Sequence, residues 1–335
     1  MSFIQVLPSD SRYQQFLDFP KALYPSRSPR FAMPEVIPTE FHMASFMAVD
    51  KGKPLARASL YHNPALRFGE HTAFMIGNYE CVDDDWEAAS FFVNLTHEAR
   101  IRGANYLIGP MNGSTYENYR LANEHNAPPF FLEFHYHDYY NCQFERASFA
   151  SIARYYTNID TDLIFDRAET LEKERELARK GVTIRRIDLT RYAEELTRIR
   201  VFNDLAFKDN FLYAPISHEA FLAKYLPVRD LLHPEFTLIA EDAAGNLVGY
   251  YFCLDDLLNK TEKSLIVKTL ARHPDPEWKG LGHVMGNIVY RGAIPQGYRS
   301  FLHALIYEEG TANALTQNFS GHNYRNYLLY GKKIN

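Results

Sequence analysis

One order of predicted elements runs through this chain twice, and that repetition limits the fold more than any single residue does. Alternating or wholly apolar short runs mark strands, and apolar residues recurring every three or four positions mark helices. The first half reads as a strand at 3–7, a helix at 11–23 led by Ser11, an extended stretch rich in Pro and Ser, and strands at 43–50, 56–63 and 72–81. A helix at 85–103 stops at Gly103, followed by a strand at 106–112, a short helix at 115–123, and strands at 130–136 and 149–156. Residues 161–181 interleave Glu with Lys and Arg at helical spacing and read as a charged, solvated linker helix. The order then restarts: a strand at 182–189, helices at 192–207 and 217–232, a hairpin at 236–256, and a strand at 264–272. A helix at 280–297, a strand at 301–310, a short helix at 311–319 and a strand at 324–334 close the chain. At 335 residues two domains of moderate size are expected, residues 1–160 and 182–335. The fold class is α/β (α+β), each half a mixed, mostly antiparallel twisted sheet flanked by helices.

Bulk properties narrow the function. A net charge of −5 gives no global basic footprint and argues against a nucleic-acid partner. The three cysteines, Cys81, Cys142 and Cys253, lie far apart without a CxxC pair, as expected of reduced thiols and not of a zinc cluster. His135 and His137 form an HxH without a third ligand nearby, so no metal site is expected. The N-terminus lacks the charged start and apolar core of a signal peptide. No apolar stretch approaches the roughly 18 residues that suggest a membrane span. A cytoplasmic location, no membrane contact, and a monomer or homodimer are the expectations.

The stretch "HPDPEWKGLGHVMGNIV", residues 273–289, joins an apolar strand to an amphipathic helix. Gly280 and Gly282 let backbone approach an anion closely, and a helix N-terminus offers N–H groups and partial positive charge. This is a candidate phosphate cradle. At the equivalent place the first half carries Asp83, Asp84 and Asp85, good helix-start residues that would repel a phosphate. Only the second half is expected to bind such a group.

The order of elements and this loop resemble the Gcn5-related N-acetyltransferase (GNAT) superfamily, in pattern over the whole chain and in motifs over the second half. That family's cofactor loop reads roughly V-H-P-x-[QR]-x-x-G-x-[GA]. Here Arg272 stands at the Val place, His273-Pro274-Asp275 matches, and Gly280 and Gly282 fall on the two glycines. Glu277 replaces Gln or Arg, and Trp278 stands where a small residue is frequent. Asn203, Asn210, Pro215, Glu241, Asp255 and the stretch "IGPMNGSTYENYRL" are similar to a bacterial subgroup with two GNAT-like domains in tandem.

The resemblance implies coenzyme A, with acetyl-CoA as donor. Lys279, Gly280, Leu281, Gly282 and His283 would hold the pyrophosphate. Backbone at Leu270, Ala271 and Arg272 would polarise the thioester. Asn313 opens the family's N-x-x-A-x-x-x-Y pattern, whose Tyr place falls on Ser320. Tyr324, then Tyr327, are the substitutes for that thiolate acid, and their odd separation in a strand predicts opposite faces. Glu308 and Glu309, ending the fifth strand, are the candidates for the base, and Asp255 and Asp256, ending the third, are alternatives. His303 reads as a satisfied core histidine. The implied function is N-acylation of a small-molecule amine. Glu277 and the displaced Tyr favour an alternative, a non-catalytic protein of the same fold that binds a ligand or partner. A third reading, an aminoacyl-tRNA dependent transferase, meets the acidic balance and the absence of basic runs.

Overall fold

The structure is a computed structural model and describes residues 2–124, 127–310 and 321–334. The expected short helix at 311–319 lies outside the described residues. Thirteen strands form one sheet among the described residues. The first-half strands are β1 (Ser2–Val6), β2 (His42–Asp50), β3 (Lys53–Tyr61), β4 (Ala73–Cys81), β5 (Tyr106–Gly109), β6 (Leu121–Glu124) and β7 (Ala150–Asp160). Those after the linker are β8 (Thr183–Arg186), β9 (Leu238–Glu241), β10 (Leu247–Asp255), β11 (Lys263–Arg272), β12 (Tyr298–Tyr307) and β13 (His322–Lys333). The helices are α1 (Tyr13–Leu23), α2 (Asp85–Ile101), α3 (Tyr139–Arg146), α4 (Ala168–Arg179), α5 (Tyr192–Ala206), α6 (His218–Tyr225) and α7 (Leu281–Ala293).

The spatial order is β1-β2-β3-β4-β5-β13-β7-β12-β11-β10-β9-β8, with β6 also on β13. Most pairs are antiparallel, while β4–β5 and β11–β12 are parallel, as a strand–helix–strand crossover requires. β1–β5 stand at one end of the sheet and β8–β12 at the other, and the last strand of each half is crossed over. β13 lies between β5 and β7, and β7 lies between β13 and β12.

Strand alternation distributes the cores. Leu265, Val267 and Phe301 face α7, packed with Leu281, Val284, Met285 and Val289. Ile266 and Leu302 face the other side, against Phe130 and Phe131. α5 and α6 cover that side further along, where Ile199, Phe202 and Phe221 meet Tyr250, Phe252 and Leu254. In the first half α2 and α3 pack on β2–β4, and Tyr330 and Ile334 from the end of the chain complete that cluster.

Three expectations differ. Residues 130–136 are turns and extended loop, because alternating aromatics there pack against both halves without a neighbouring strand. Helix α3 was not expected; it is short, and its buried face, Tyr140, Gln143 and Phe144, includes a polar residue. The predicted helix at 115–123 is a loop ending in β6, and the one at 217–232 tightens into a 3₁₀ turn at Leu226–Leu231, where Pro227 removes a donor.

Residues 1–160 expressed alone lose β13 from between β5 and β7, and lose Tyr330 and Ile334 from the core. The fragment should bind exposed-surface dyes and aggregate. A soluble monomer with a sharp thermal transition would refute the shared sheet as a folding requirement.

Candidate functional site

The sheet opens at one place in the second half. β11 and β12 pair from Lys263↔Tyr298 to Val267↔His303 and no further. Beyond that row β11 stays with β10 as far as Gly249↔Arg272, while β12 stays with β7 through Tyr307↔Tyr155. Both strands kink there. The β10–β11 register shifts at Phe252/Cys253, leaving Lys268 as the extra residue, and Leu305 on β12 takes φ 61°. Leu270, Ala271 and Arg272 therefore line one edge of a wedge-shaped gap, with their other edge on β10.

The loop after β11 is braced by its own polar groups. The Arg272 guanidinium donates to the carbonyls of His273 (2.7 Å) and Asp275 (3.0 Å). The Asp275 carboxylate accepts from the Glu277 amide at 2.9 Å. Trp278 is half-buried against the α7 core, which accounts for a large residue at that place. The Glu277 carboxylate is exposed and turned toward Lys180, 4.0 Å away at the end of the linker helix. Lys279 is exposed. Gly280 caps α7 at φ 94°, a left-handed conformation suited to glycine, and no side chain caps the helix. Leu281 and Gly282 form the first turn, whose N–H groups have no acceptor within the helix.

A cavity of about 230 Å³ lies between α7 and the linker, reached by Gly280, His283, Asn287 and Tyr290 from one side and Arg167 and Lys173 from the other. At its inner end the Tyr290 hydroxyl donates to Asp160 at 2.9 Å and meets His303 Nε2 at 2.9 Å. A tyrosine has one proton to give, so His303 presents Nε2–H to it. Burial holds the His303 imidazole down at about 4, against the pull of Asp160, so it is neutral at ordinary pH. His303 is thus a satisfied core histidine, placed on the row where the strands part.

The first half has the same parting, because β4 and β5 pair only from Ala73↔Tyr106 to Met75↔Ile108. There the space is closed by the protein itself. Tyr140 accepts from the Cys81 amide (3.2 Å), Tyr139 donates to the Cys81 carbonyl (2.9 Å), and Gln143 donates to the Val82 carbonyl (2.9 Å). The Asp84 carboxylate caps α2 through the Trp86 and Glu87 amides, at 2.9 and 3.1 Å. That helix start already holds its own anion.

The remaining candidates are scattered. Asn313 and Ser320 lie outside the described residues. Glu308 is exposed, with its amide bonded to the Arg154 carbonyl. The Tyr324 hydroxyl donates to the Pro128 carbonyl at 2.9 Å. Tyr327 is buried, 3.2 Å from Thr157 Oγ1, which also accepts the Leu305 amide at 3.1 Å. β13 shifts register between Asn323 and Arg325, so simple alternation does not place Tyr324 and Tyr327 on opposite faces. Among the described residues no group of three or more His, Cys, Asp or Glu is arranged to hold a metal. His137 stacks on Tyr24 with ring centroids 4.1 Å apart.

Three charged residues were missed in the sequence, two of them, Lys268 and Arg120, at the parting. Lys268 is the bulge residue itself. Arg120, from the "IGPMNGSTYENYRL" stretch, reaches the Leu305 carbonyl at 3.4 Å. Glu133 is buried and holds Arg325 through Oε1 at 2.9 and 2.8 Å. Its Oε2 is buried without a hydrogen-bond partner among the described residues, and burial raises its carboxyl to about 7 against the pull of Arg325. The one available signal was polarity out of place: a lysine inside the apolar run "SLIVKTLAR", and a glutamate between aromatics.

No protein-family model matches the chain. It is 23% identical to Protein YghO of Escherichia coli (strain K12) over 369 residues, covering 95% of this chain and 92% of that protein. Among solved structures it resembles a tandem GNAT protein from the clavulanic acid biosynthesis pathway, with TM-score 0.54, 12% identity, and 99% and 98% of the two chains covered. It also resembles a fungal multi-domain GH3 β-N-acetylglucosaminidase with a GCN5-related glucosamine N-acetyltransferase region, with TM-score 0.58 and 10% identity. That match covers 99% of this chain, which spans only 38% of the fungal chain. Among the described residues no helix is long and apolar enough to cross a membrane. The single mixed sheet, flanked by helices and opened between β11 and β12, has the tandem GNAT-like fold.

Proposed function

We propose that the chain is an acyl-coenzyme A dependent N-acyltransferase, acetyl-CoA its donor, acting on a small-molecule amine. One contrast carries this reading. The β11–β12 parting stands beside a helix start without a side-chain cap, while its first-half counterpart is filled by Tyr139, Tyr140 and Gln143 and capped by Asp84.

In this proposal the amides of Leu281 and Gly282 hold the pyrophosphate, with Lys279, His283, Lys173 and Arg167 around it. Acetyl-CoA, when bound, would supply the thioester. The backbone at Leu270–Arg272 polarises its carbonyl in the parting. The amine nitrogen bonds to that carbonyl carbon, the carbon–sulfur bond breaks, the amine gives up a proton and the thiolate gains one. Glu133 is the proposed proton acceptor in place of Glu308, which faces solvent. Its support is a buried, unbonded oxygen and a carboxyl near neutrality. Tyr327 precedes Tyr324 as proposed thiolate acid, because its hydroxyl reaches β12 at the kink through Thr157, whereas Tyr324 is tied to Pro128.

Gly280→Val forces a β-branched residue to φ 94°, and its Cβ meets the Lys173 stem at 3.0 Å. Coenzyme A affinity measured by calorimetry should fall at least tenfold, about 1.4 kcal/mol. Unchanged affinity in a folded variant rejects the loop as the phosphate site, and no binding by the parent favours the non-catalytic reading.

Tyr327→Phe should lower thiol release from acetyl-CoA by roughly tenfold or more with cofactor affinity nearly unchanged, and Tyr324→Phe should cost less. Full turnover in both variants removes these residues from the chemistry.

A general base works deprotonated, so turnover of the parent should rise as pH passes through about 7, where Glu133 ionises. Glu133→Gln should lose this limb and most of the turnover. A rate profile unchanged by that substitution would count against Glu133.

A further inference from the structure

We propose that the acceptor amine also carries a carboxylate, held by Lys268 and Arg120 at the two lips of the β11–β12 parting. This rests on the acyltransferase reading and names its substrate class.

The two cations arrive from different halves. Lys268 follows Val267, the last residue of β11 that pairs with β12, and is the extra residue of the bulge. Its ammonium lies 5.4 Å from the centre of the Tyr225 ring at the end of α6, on the side of the sheet away from α7. Arg120 comes from the loop before β6. Its guanidinium lies 3.9 Å from the Tyr119 ring centre and 4.5 Å from that of Tyr155, and bonds the Leu305 carbonyl on β12. Stacked in this way, it is fixed in direction.

Both side chains are half-buried, and among the described residues neither has a carboxylate within ion-pair distance. Glu117 is the acidic group that acts on Lys268, and its carboxylate is taken by Lys224 at 2.8 Å. Burial, aided by the charge of Arg120, lowers the Lys268 ammonium to about 8, a sign that the pair is costly when nothing neutralises it. Removing two cations from water without a counter-charge is unfavourable. A bound carboxylate supplies that charge and gives bidentate geometry to the guanidinium. The coenzyme phosphates do not meet this need, since their proposed cradle is the start of α7, on the opposite side of the sheet. The walls of the acceptor side are aromatic: Tyr119, Tyr155, Tyr225 and Tyr307. A small amino-carboxylate, its amine directed into the parting and its carboxylate between the cations, matches this lining.

The test uses matched pairs: α-amino acids and ω-amino carboxylates of increasing length, each against its carboxamide. Thiol release from acetyl-CoA should show at least a tenfold higher kcat/KM for the carboxylate member of a used pair. Lys268→Met and Arg120→Met should each erase most of that preference through KM, and Lys268→Arg should retain it. Equal use of both members by the parent protein, or an unaltered preference in both Met variants, overturns the proposal. If no member is acetylated, calorimetry with the same panel decides: binding confined to carboxylates and lost in Lys268→Met supports the site, and no binding overturns it. Calorimetry with acetyl-CoA on the parent and both Met variants reads the underlying acyltransferase proposal separately. The Met variants should bind the cofactor as the parent does.

Discussion

The backbone ladder between β7 and β13 is the constraint on which the rest of the molecule depends. It runs from His322↔Ile159 to Gly331↔Ala150, and each strand has its other edge in the opposite half. Interior strands cannot leave their N–H and C=O groups unpaired, so neither half has a complete sheet without the other's last strand. The exchange also fixes the site. β7 holds β12 from one side while β10 holds β11 from the other, and the two central strands are pulled apart at Val267↔His303. Arg120 reaches that opening from the first half because the sheet is continuous.

The first half has traded its own opening for a polar core. The Glu80 carboxylate is fully buried and accepts from Tyr24, Tyr140 and Arg30, while Glu35 bridges Arg30 and Arg57. Arg57 also donates to the Phe16 carbonyl at 2.8 Å. Buried charges of this kind are tolerated only when each is paired, and removing one partner typically costs about 3–5 kcal/mol. The network ties α1, α3 and the extended stretch before β2 to the sheet. Specificity of packing, not ligand contact, is its evident role.

Much of the fold was legible. The hairpins, the linker helix and the strand feeding Gly280 carry periodicities that local sequence determines, and Gly280 stands at the start of α7 as its place in the motif suggested. The strand exchange was not legible, because the apolar patterns of β7 and β13 state that a strand is buried but not which neighbour covers it. The stretch 130–136 misled for a related reason. Phe130 and Phe131 face the second-half cluster and Tyr136 the first, and that division of aromatics imitates a strand's alternation. Of the proposed site, the glycine loop before α7 was readable as a motif. Lys268, Arg120 and Glu133 were not, since their meaning comes from juxtaposition across about 150 residues of chain.

The exchange has a consequence for how the protein is made. A domain near the N-terminus usually folds while the remainder is still being synthesised. Here the first half must keep the edge of β5 uncovered until β13 leaves the ribosome. At roughly 5–20 residues per second that wait is about nine to thirty-five seconds. During it, an unpaired strand edge and an incomplete aromatic cluster are open to other chains. Synthesis, not the finished fold, is the stage at which this molecule is most exposed to misassembly.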